Sequence, residues 1–249
     1  MTVILNTWVF EALVQQGTSQ VALTRHSADL GADGIEVRRE YFTDTPQETA
    51  AIGKLARQLG LIVNYSVPDE VFTPAGALNP LLPTYFAEGQ AMGIAKIKFN
   101  TGHFDRFTGD LASELAKLPL DQIEMNVEND QTPVSGTIPA IQRFLAAAHQ
   151  ATSAKIGYVY DLGNWAFTHG DATAAAQALA ADTHYIHLKN TSDDHGTLAT
   201  TADLDTGIYD WRALLKLLPA AVPFALEYPM ATDAEITQQL QLLRAEVGD

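Results

Sequence analysis

The chain has 249 residues, of which 47% are hydrophobic, so it can bury a large core. Asp and Glu number 30 against 15 for Lys and Arg, and the formal net charge of −15 excludes nucleic acid and anionic membranes as expected partners. There is no cysteine, which excludes disulfides and thiolate sites and suits a reducing cytosol. Apolar runs are too short for a membrane span, and the first ten residues do not resemble a signal peptide. We therefore expect a cytoplasmic protein.

Strand-like and helix-like segments alternate along the first half of the chain. Its predicted strands lie at 3–6, 34–38, 61–66 and 95–100. The helical patterns between them end at Gly31, Gly60 and Gly93, and glycine readily adopts the left-handed conformation that closes a helix. Thr45 and Glu48 have the spacing of a capping box that opens a helix. The recurrence of these signals indicates a repeated βα unit.

The second half continues the alternation. Its predicted strands lie at 122–129, 155–161, 184–189 and 223–227, with a long Thr/Asp-rich loop after the third. A second capping box, Thr232 with Glu235, opens the last helix. Eight βα units without a linker predict a single α/β domain over 1–249, folded as a closed (β/α)8 TIM barrel. An open doubly wound sheet is the rival fold, but no glycine-rich phosphate loop follows the first strand.

Every predicted strand carries polar residues, mostly at one parity, although parallel strands covered on both faces are normally apolar throughout. The polar row contains Asn6, Glu36, Arg38, Asn64, Lys96, Lys98, Asn100, Glu124, Asn126, Glu128, Asp161, His187, Lys189 and Glu227. We expect this row to line the barrel interior, and the apolar parity to pack against the outer helices. Charges inside a barrel can simply pair, and we expect Glu36, Lys96 and Glu124 to do so.

Four members of the row fall at or near the carboxyl ends of consecutive predicted strands: Glu128, Asp161, His187 and Glu227. Neighbouring strands lie about 4.8 Å apart, so these side chains can converge at the face where TIM barrels keep their active sites. Three carboxylates together repel one another unless a cation lies between them. Three oxygen ligands and one imidazole favour one divalent metal ion, Mn²⁺ or Mg²⁺ first, with Zn²⁺ or Co²⁺ as alternatives.

Five segments from about residue 120 onward resemble the xylose isomerase-like superfamily of sugar isomerases and epimerases, which includes ketose 3-epimerases and inosose dehydratase. They are VEN (127–129), YDLGNW (160–165), YIHLKN (185–190), DTGIYDW (205–211) and ALEYP (225–229). The first half is similar only in its βα rhythm. The resemblance implies that Glu128, Asp161, His187 and Glu227 bind one divalent metal ion. It also implies that Glu128 and Glu227 are catalytic and move the substrate's protons.

The chain departs from the superfamily at three positions. Ketose 3-epimerases have a histidine three residues after the sixth-strand aspartate, where this chain has Asn164. They also have an arginine after the seventh strand, whereas residues 192–203 contain none. The seventh-strand motif usually ends in Asp, and here it ends in Asn190. These departures weaken the case for ketose 3-epimerisation and leave the metal ligands unchanged.

We therefore predict a metal-dependent sugar isomerase or epimerase that works through an enediolate on a ketose, a polyol-derived compound or a sugar phosphate. The predicted substrate-binding residues are Lys189, Asn164, His103, Asn100, Asn64 and Glu36. The aromatic residues expected either to wall the pocket or to belong to the core are Trp8, Phe10, Tyr65, Phe72 and Trp165. A metal-dependent dehydratase of a polyol or cyclic hydroxyketone and a non-catalytic sugar-binding barrel stay open as alternatives. A small sugar or polyol is the expected partner, and a homodimer stays open.

Overall fold

The computed structural model describes residues 1–248 and contains a closed barrel of eight parallel strands. In chain order the strands are β1 (Val3–Asn6), β2 (Gly34–Arg38), β3 (Ile62–Phe72), β4 (Lys96–Gly102), β5 (Glu124–Glu128), β6 (Ile156–Asp161), β7 (Thr183–Leu188), β8 (Thr191–Asp194), β9 (Thr197–Thr200) and β10 (Phe224–Leu226). All except β8 and β9 belong to the barrel, which β10 closes by pairing with β1. The predicted single-domain (β/α)8 barrel is confirmed, and the predicted domain end at residue 249 lies outside the described residues.

Helices lie between successive barrel strands. They are α1 (Glu11–Gln15), α2 (Gln20–Asp29), α3 (Thr45–Leu59), α4 (Leu82–Met92), α5 (Leu111–Leu115), α6 (Ile138–Ala151), α7 (Asn164–Phe167), α8 (Ala172–Leu179), α9 (Trp211–Leu215) and α10 (Asp233–Val247). Within residues 1–248, none of them combines the length and the hydropathy that a bilayer span requires.

The helix boundaries test the local signals in the sequence. Gly60 ends α3 in the left-handed conformation with φ 70°, and the capping box at Thr232 opens α10, as predicted. The predicted capping box at Thr45 is wrong by one residue. Asp44 is the N-cap of α3, and its carboxylate accepts a hydrogen bond from the backbone N–H of Gln47 at 3.3 Å. A carboxylate one position earlier satisfies the free N–H groups of the first turn equally well.

The side chains of the barrel strands divide by parity, as predicted. Apolar residues such as Val37, Phe99 and Leu226 belong to the main core cluster that also includes helix residues. A second, small apolar cluster occupies the interior and consists of Ile4, Val159, Tyr185 and Ala225. Because strand side chains repeat with a period of two, the next interior layer towards the carboxyl face includes Asn6, Asp161, His187 and Glu227. The apolar cluster therefore forms the floor beneath that polar layer.

Two elements at the carboxyl face differ from the prediction. The third strand, predicted to end at residue 66, continues to Phe72 after a register shift between Ser66 and Glu70. Pro68 lies in this extension. In a sequence, a proline predicts the end of a strand, because proline cannot donate a hydrogen bond to a neighbouring strand. The predicted loop after β7 contains the antiparallel hairpin of β8 and β9.

Candidate metal centre and its pocket

The carboxyl ends of β5, β6, β7 and β10 bring four side chains to one point. One donor atom each from Glu128, Asp161, His187 and Glu227 lies within 4.8 Å of the others, and all four residues are buried. Asp161 and His187 are paired in register, and Glu227 directly follows β10. The parallel strands thus produce the convergence that the sequence suggested, while the role of the four residues as metal ligands stays a prediction.

His187 lies at the centre of this cluster. Its Nδ1 is 2.8 Å from Glu128 Oε1 and 3.2 Å from Glu227 Oε2, whereas its Nε2 is 3.1 Å from Glu36 Oε1. The Tyr185 ring meets the imidazole edge-on, with ring centroids 4.7 Å apart. Burial opposes protonation of His187, but the carboxylates of Glu36, Glu227 and Glu128 outweigh it and raise the pKa of the imidazole well above its usual value.

Lys98 of β4 compensates the charge of Glu128. Its ammonium group contacts Glu128 Oε2, and both side chains are buried. Burial by itself would raise the pKa of the Glu128 carboxyl, but Lys98 and His187 lower it to about 2. The carboxylate is therefore ionised at neutral pH, as a metal ligand or a general base must be.

Lys189 and Arg38 compensate the remaining carboxylates. Lys189 Nζ lies 2.5 Å from Asp161 Oδ2 and 3.0 Å from Glu227 Oε2, and Arg38 Nη1 donates a hydrogen bond to Glu227 Oε1 at 2.9 Å. Burial opposes ionisation of Glu227, but Lys189 and the other cations hold its pKa well below its usual value. Burial raises the pKa of Asp161, and Lys189 offsets that effect only in part.

Two oxygen atoms of the cluster lack a hydrogen-bond donor. Glu128 Oε1 and Asp161 Oδ2 are buried, and no group in residues 1–248 donates to either with hydrogen-bonding geometry, although His187 Nδ1 and Lys189 Nζ lie close to them. Both oxygens are in ion-pair contact with these basic groups, and a bound divalent ion would take the place of those contacts. Donor atoms that bind one ion at about 2.0–2.2 Å lie at most about 4.4 Å apart. The four donor atoms here lie within 4.8 Å of one another, so only small side-chain shifts are needed. The four residues therefore fit one divalent ion.

A cavity of about 330 Å³ opens at the carboxyl face beside the cluster. It is lined by Trp8, Arg38, Pro68, Lys98, Asn100, Glu128, Asp130, Gln131, Thr132, Asn164, Lys189 and Glu227. The charged groups of Arg38 and Lys189 lie 5.7 and 5.5 Å from the centroid of the Trp8 ring. Carboxylates, amides, basic groups and an aromatic wall are the groups that hold a small polyhydroxylated molecule.

The six predicted substrate-binding residues lie in three different places. Three of them line the cavity: Asn100, Asn164 and Lys189. Glu36 and Asn64 are each 1% exposed in the barrel interior, with Glu36 against His187. His103 lines a separate groove of about 300 Å³, so the structure does not bring it to the cavity.

Asn164 lines the cavity, but its groups are already engaged. Its backbone N–H donates to Asp161 Oδ1 at 3.1 Å, and its side-chain amide donates to the backbone oxygen of Asn129 at 2.8 Å. Its side-chain oxygen accepts a hydrogen bond from Gln131 Nε2 at 3.1 Å. The backbone of Asn164 therefore helps to orient Asp161, and its side-chain amide already has protein partners.

The sequence predicted Arg38 and Lys98 as possible charge partners of the carboxylates but did not place them, or Asn6, among the site residues. Arg38 and Lys98 both belong to the polar row, and Arg38 is the last residue of β2, which is the signal that identified the four predicted ligands. Asn6 carries the same signal on β1. Of the five aromatic candidates, Trp8 lines the cavity. The other four belong to the core: Phe10, Tyr65, Phe72 and Trp165.

Asn190, where the superfamily usually has Asp, holds the long loop that follows β7. Its side-chain NH2 donates to the backbone oxygens of Leu204 at 2.7 Å and Tyr209 at 2.9 Å, and its Oδ1 accepts from the N–H of Thr191 at 2.9 Å. An aspartate could not donate to two carbonyl groups. The two donated hydrogen bonds therefore explain why asparagine, and not aspartate, stands at position 190.

Comparison with protein-family models and with curated protein sequences gave no match. Solved structures do match. The probable 3-DHS dehydratase AsbF from Bacillus anthracis superposes with a TM-score of 0.75 at 12% identity, covering 98% of each chain. A xylose isomerase domain containing protein from Salmonella typhimurium LT2 gives a TM-score of 0.73 at 13% identity, covering 98% of this chain and 96% of that one.

An epimerase has the same architecture. The D-psicose 3-epimerase from Clostridium cellulolyticum H10, solved with D-tagatose, gives a TM-score of 0.70 at 10% identity over 100% of both chains. Identities this low establish the fold and leave the activity open. The chain therefore has the fold of the xylose isomerase-like TIM barrels, as its second-half segments predicted.

Proposed function

We propose that this protein is a divalent-metal-dependent sugar isomerase or epimerase that transfers a proton through an enediolate. The observation that carries the proposal is the meeting of three buried carboxylates and one imidazole beside the carboxyl-face cavity. The fold shared with an epimerase and with a dehydratase gives further support. The proposed substrate is a small ketose or polyol-derived compound. A sugar phosphate is less favoured, because no glycine-rich loop follows the seventh or eighth barrel strand.

The proposed metal ligands are Glu128, Asp161, His187 and Glu227. A divalent ion held by them would supply Lewis acidity, which stabilises negative charge that develops on a substrate oxygen. Three carboxylates favour Mn²⁺ or Mg²⁺, and the imidazole also suits Zn²⁺ or Co²⁺.

Glu128 and Glu227 are the proposed catalytic residues. Both line the cavity, they lie on β5 and directly after β10, and neighbouring cations keep both ionised. One carboxylate would remove a proton from carbon. The other, after taking up a proton from water, would return a proton to the opposite face or to the adjacent carbon. Lys189 and Asn100 would bind substrate oxygens from the cavity wall.

A metal-dependent dehydratase is the second candidate, and the structural match to AsbF favours it. One of the same carboxylates would remove a proton beside a carbonyl and would pass that proton to the hydroxyl group that leaves as water. The cytoplasmic location and the homodimer stay predictions.

Proton exchange tests the proposal. The protein would be incubated in D₂O with Mn²⁺ and a panel of ketoses, and deuterium incorporated beside the carbonyl would be measured by NMR. We expect exchange in the wild type and its loss in Glu128→Gln and Glu227→Gln. Glu124→Gln, on the same strand as Glu128 but at the other end of the barrel, is the matched control. Exchange that persists in both site variants would exclude these carboxylates from the chemistry.

Mass spectrometry of the products separates the two candidate reactions. An isomerase or epimerase leaves the mass of the substrate unchanged, whereas a dehydratase removes one water molecule.

A further inference from the structure

We infer that Glu36 and Asn6 form an outer layer that positions two of the proposed metal ligands, His187 and Glu227. The inference rests on the proposed function, because it concerns residues whose role is to hold the ligands of that site. It replaces the expectation that Glu36 binds substrate.

Glu36 lies on the side of His187 that faces away from the other proposed ligands. Its two carboxylate oxygens lie 3.1 and 3.2 Å from His187 Nε2, while Nδ1 faces Glu128 and Glu227. An imidazole binds a metal through the nitrogen that carries no proton, and a hydrogen bond from the other nitrogen decides which one that is. A carboxylate can only accept, so once an ion is bound on the Nδ1 side, the one remaining imidazole proton stays on Nε2, where Glu36 holds it.

The surroundings make Glu36 a positioning residue rather than a substrate ligand. Its side chain is 1% exposed and sits deep in the interior, beside a histidine that is itself fully buried. The ring of Tyr185, two residues before His187 on the same strand, packs edge-on against the imidazole at an interplanar angle of 84°. The hydrogen bond to Glu36 and the contact with Tyr185 together fix the rotation of the imidazole ring.

Asn6 connects Glu36 to Glu227. Its Oδ1 accepts a hydrogen bond from the backbone N–H of Trp8 at 2.9 Å, which defines the orientation of the amide. Its Nδ2 donates to Glu36 Oε1 at 2.5 Å and to Glu227 Oε1 at 3.1 Å. One amide on β1 therefore holds both the carboxylate behind His187 and a second proposed ligand.

Zinc affinity and the histidine tautomer test this inference without any activity measurement. Zn²⁺ is the probe because it is diamagnetic, and its affinity would be measured by competition with a chromophoric chelator. Glu36→Gln keeps the size of the side chain but presents an NH2 group, which would donate to Nε2 and favour the wrong tautomer. We expect zinc binding to weaken by about 10–100-fold. In ¹⁵N NMR spectra of the zinc-loaded wild type, we expect the His187 proton on Nε2, and a loss of that signal in the variant.

Glu124→Gln is the matched control, because Glu124 also contacts a histidine, His184, at 3.0 Å but at the amino end of the barrel. We expect its zinc affinity to stay within about twofold of the wild type, since interactions this far from a site are usually independent of it. If Glu36→Gln does not fold, as judged by circular dichroism, Asn6→Ala decides by the same zinc measurement, and we expect weakened binding.

The outcomes separate this inference from the proposed function. A folded Glu36→Gln variant with wild-type zinc affinity and the proton still on Nε2 would overturn the inference and leave the metal site standing. Wild-type affinity in Asn6→Ala would overturn it in the same way. A wild-type protein that binds neither Zn²⁺ nor Mn²⁺ would overturn the proposed function itself, and the inference with it.

Discussion

Strands β4, β5 and β7 each contribute to two ionic clusters, one at either end of the barrel. At the amino end they supply Lys96, Glu124 and His184, and at the carboxyl end they supply Lys98, Glu128 and His187. In the amino-end cluster, Glu124 Oε1 accepts a hydrogen bond from Lys96 Nζ at 2.6 Å and lies 3.0 Å from His184 Nδ1. One carboxylate is thus shared by two basic groups.

The two clusters differ in carboxylate number and in exposure. The amino-end side chains of Lys96 and Glu124 are each 15% exposed, and that of His184 is 36% exposed. At the carboxyl end Glu36, Asp161 and Glu227 join Glu128 away from water. Their basic partners are Lys98, Lys189, Arg38 and His187. The same residue types therefore form a small salt bridge near solvent at one end, and at the other end a candidate ion site where four carboxylates converge in the interior.

The largest expected difference between the clusters is in catalysis. We expect Glu128→Gln to lower the rate of deuterium exchange by about 10²–10⁴-fold, because that is the usual contribution of a positioned base. Glu124→Gln should stay within about twofold, because its cluster lies at the opposite end of the barrel. Initial exchange rates at saturating Mn²⁺ measure both effects. Equal losses in the two variants would remove the functional distinction between the clusters.

The two lysines should differ in their effect on stability. Lys98→Met leaves Glu128 buried without its ammonium partner, and breaking such a buried pair costs about 3–5 kcal/mol. Lys96→Met removes a charged hydrogen bond that is partly exposed, and we expect a cost of about 1.5 kcal/mol. Urea unfolding of the metal-free proteins gives both values. Mn²⁺ should restore part of the lost stability in Lys98→Met but none in Lys96→Met. Equal losses in the two variants, with no recovery on adding Mn²⁺, would contradict a cation site at Glu128.

Metal binding should stabilise the fold through the carboxyl-end cluster only. At a free Mn²⁺ concentration of 100 times Kd, linkage predicts a gain of about 2.7 kcal/mol in the free energy of unfolding. We expect Asp161→Asn to lose most of this gain and Glu124→Gln to keep it. Urea unfolding with and without Mn²⁺ measures the difference. A gain that survives in Asp161→Asn would place the ion elsewhere.

The fold and the meeting of the four proposed ligands could be predicted because both depend on repeated local signals. Glu128, Asp161, His187 and Glu227 share one parity and one strand end, and a closed parallel barrel brings such positions together. The pairing of Glu36, Lys96 and Glu124 was predicted and is confirmed. The partner of each interior charge could not be predicted, because it depends on side-chain length and rotamer across the barrel interior. Glu36 illustrates this, since its partner is the far nitrogen of His187.

Loop-borne features were harder to predict, because their course depends on tertiary contacts. His103 lies at the predicted end of the barrel, yet the chain after β4 takes it into a separate groove. The hairpin of β8 and β9 directly follows Asn190, whose side chain donates a hydrogen bond to the backbone oxygen of Leu204. The sequence did not predict this hydrogen bond or the hairpin. The sequence predicted Asn6 to face the barrel interior as one member of the polar row but assigned it no role. Its importance comes from two carboxylates that reach it from other strands.

The smallest expected effect is a pH dependence confined to the amino-end cluster. Burial opposes ionisation of Glu124, but His184 and Lys96 lower its pKa to about 2 from 4.5. Because the folded pKa is the lower one, the stabilisation is fully present above pH 4.5 and is lost as the pH falls towards 2. Solvent screens this partly exposed group, so we expect about 1 kcal/mol.

Urea unfolding of the wild type and Glu124→Gln between pH 6 and pH 3 measures this contribution. The difference between the two proteins should shrink as the pH falls, because the wild-type carboxylate becomes protonated in the unfolded chain first. Mn²⁺ should leave the difference unchanged, because the proposed ion binds at the other end of the barrel. A difference that depends on Mn²⁺ would mean that the two clusters are coupled through the barrel interior, and that Glu124 is no neutral control for the site.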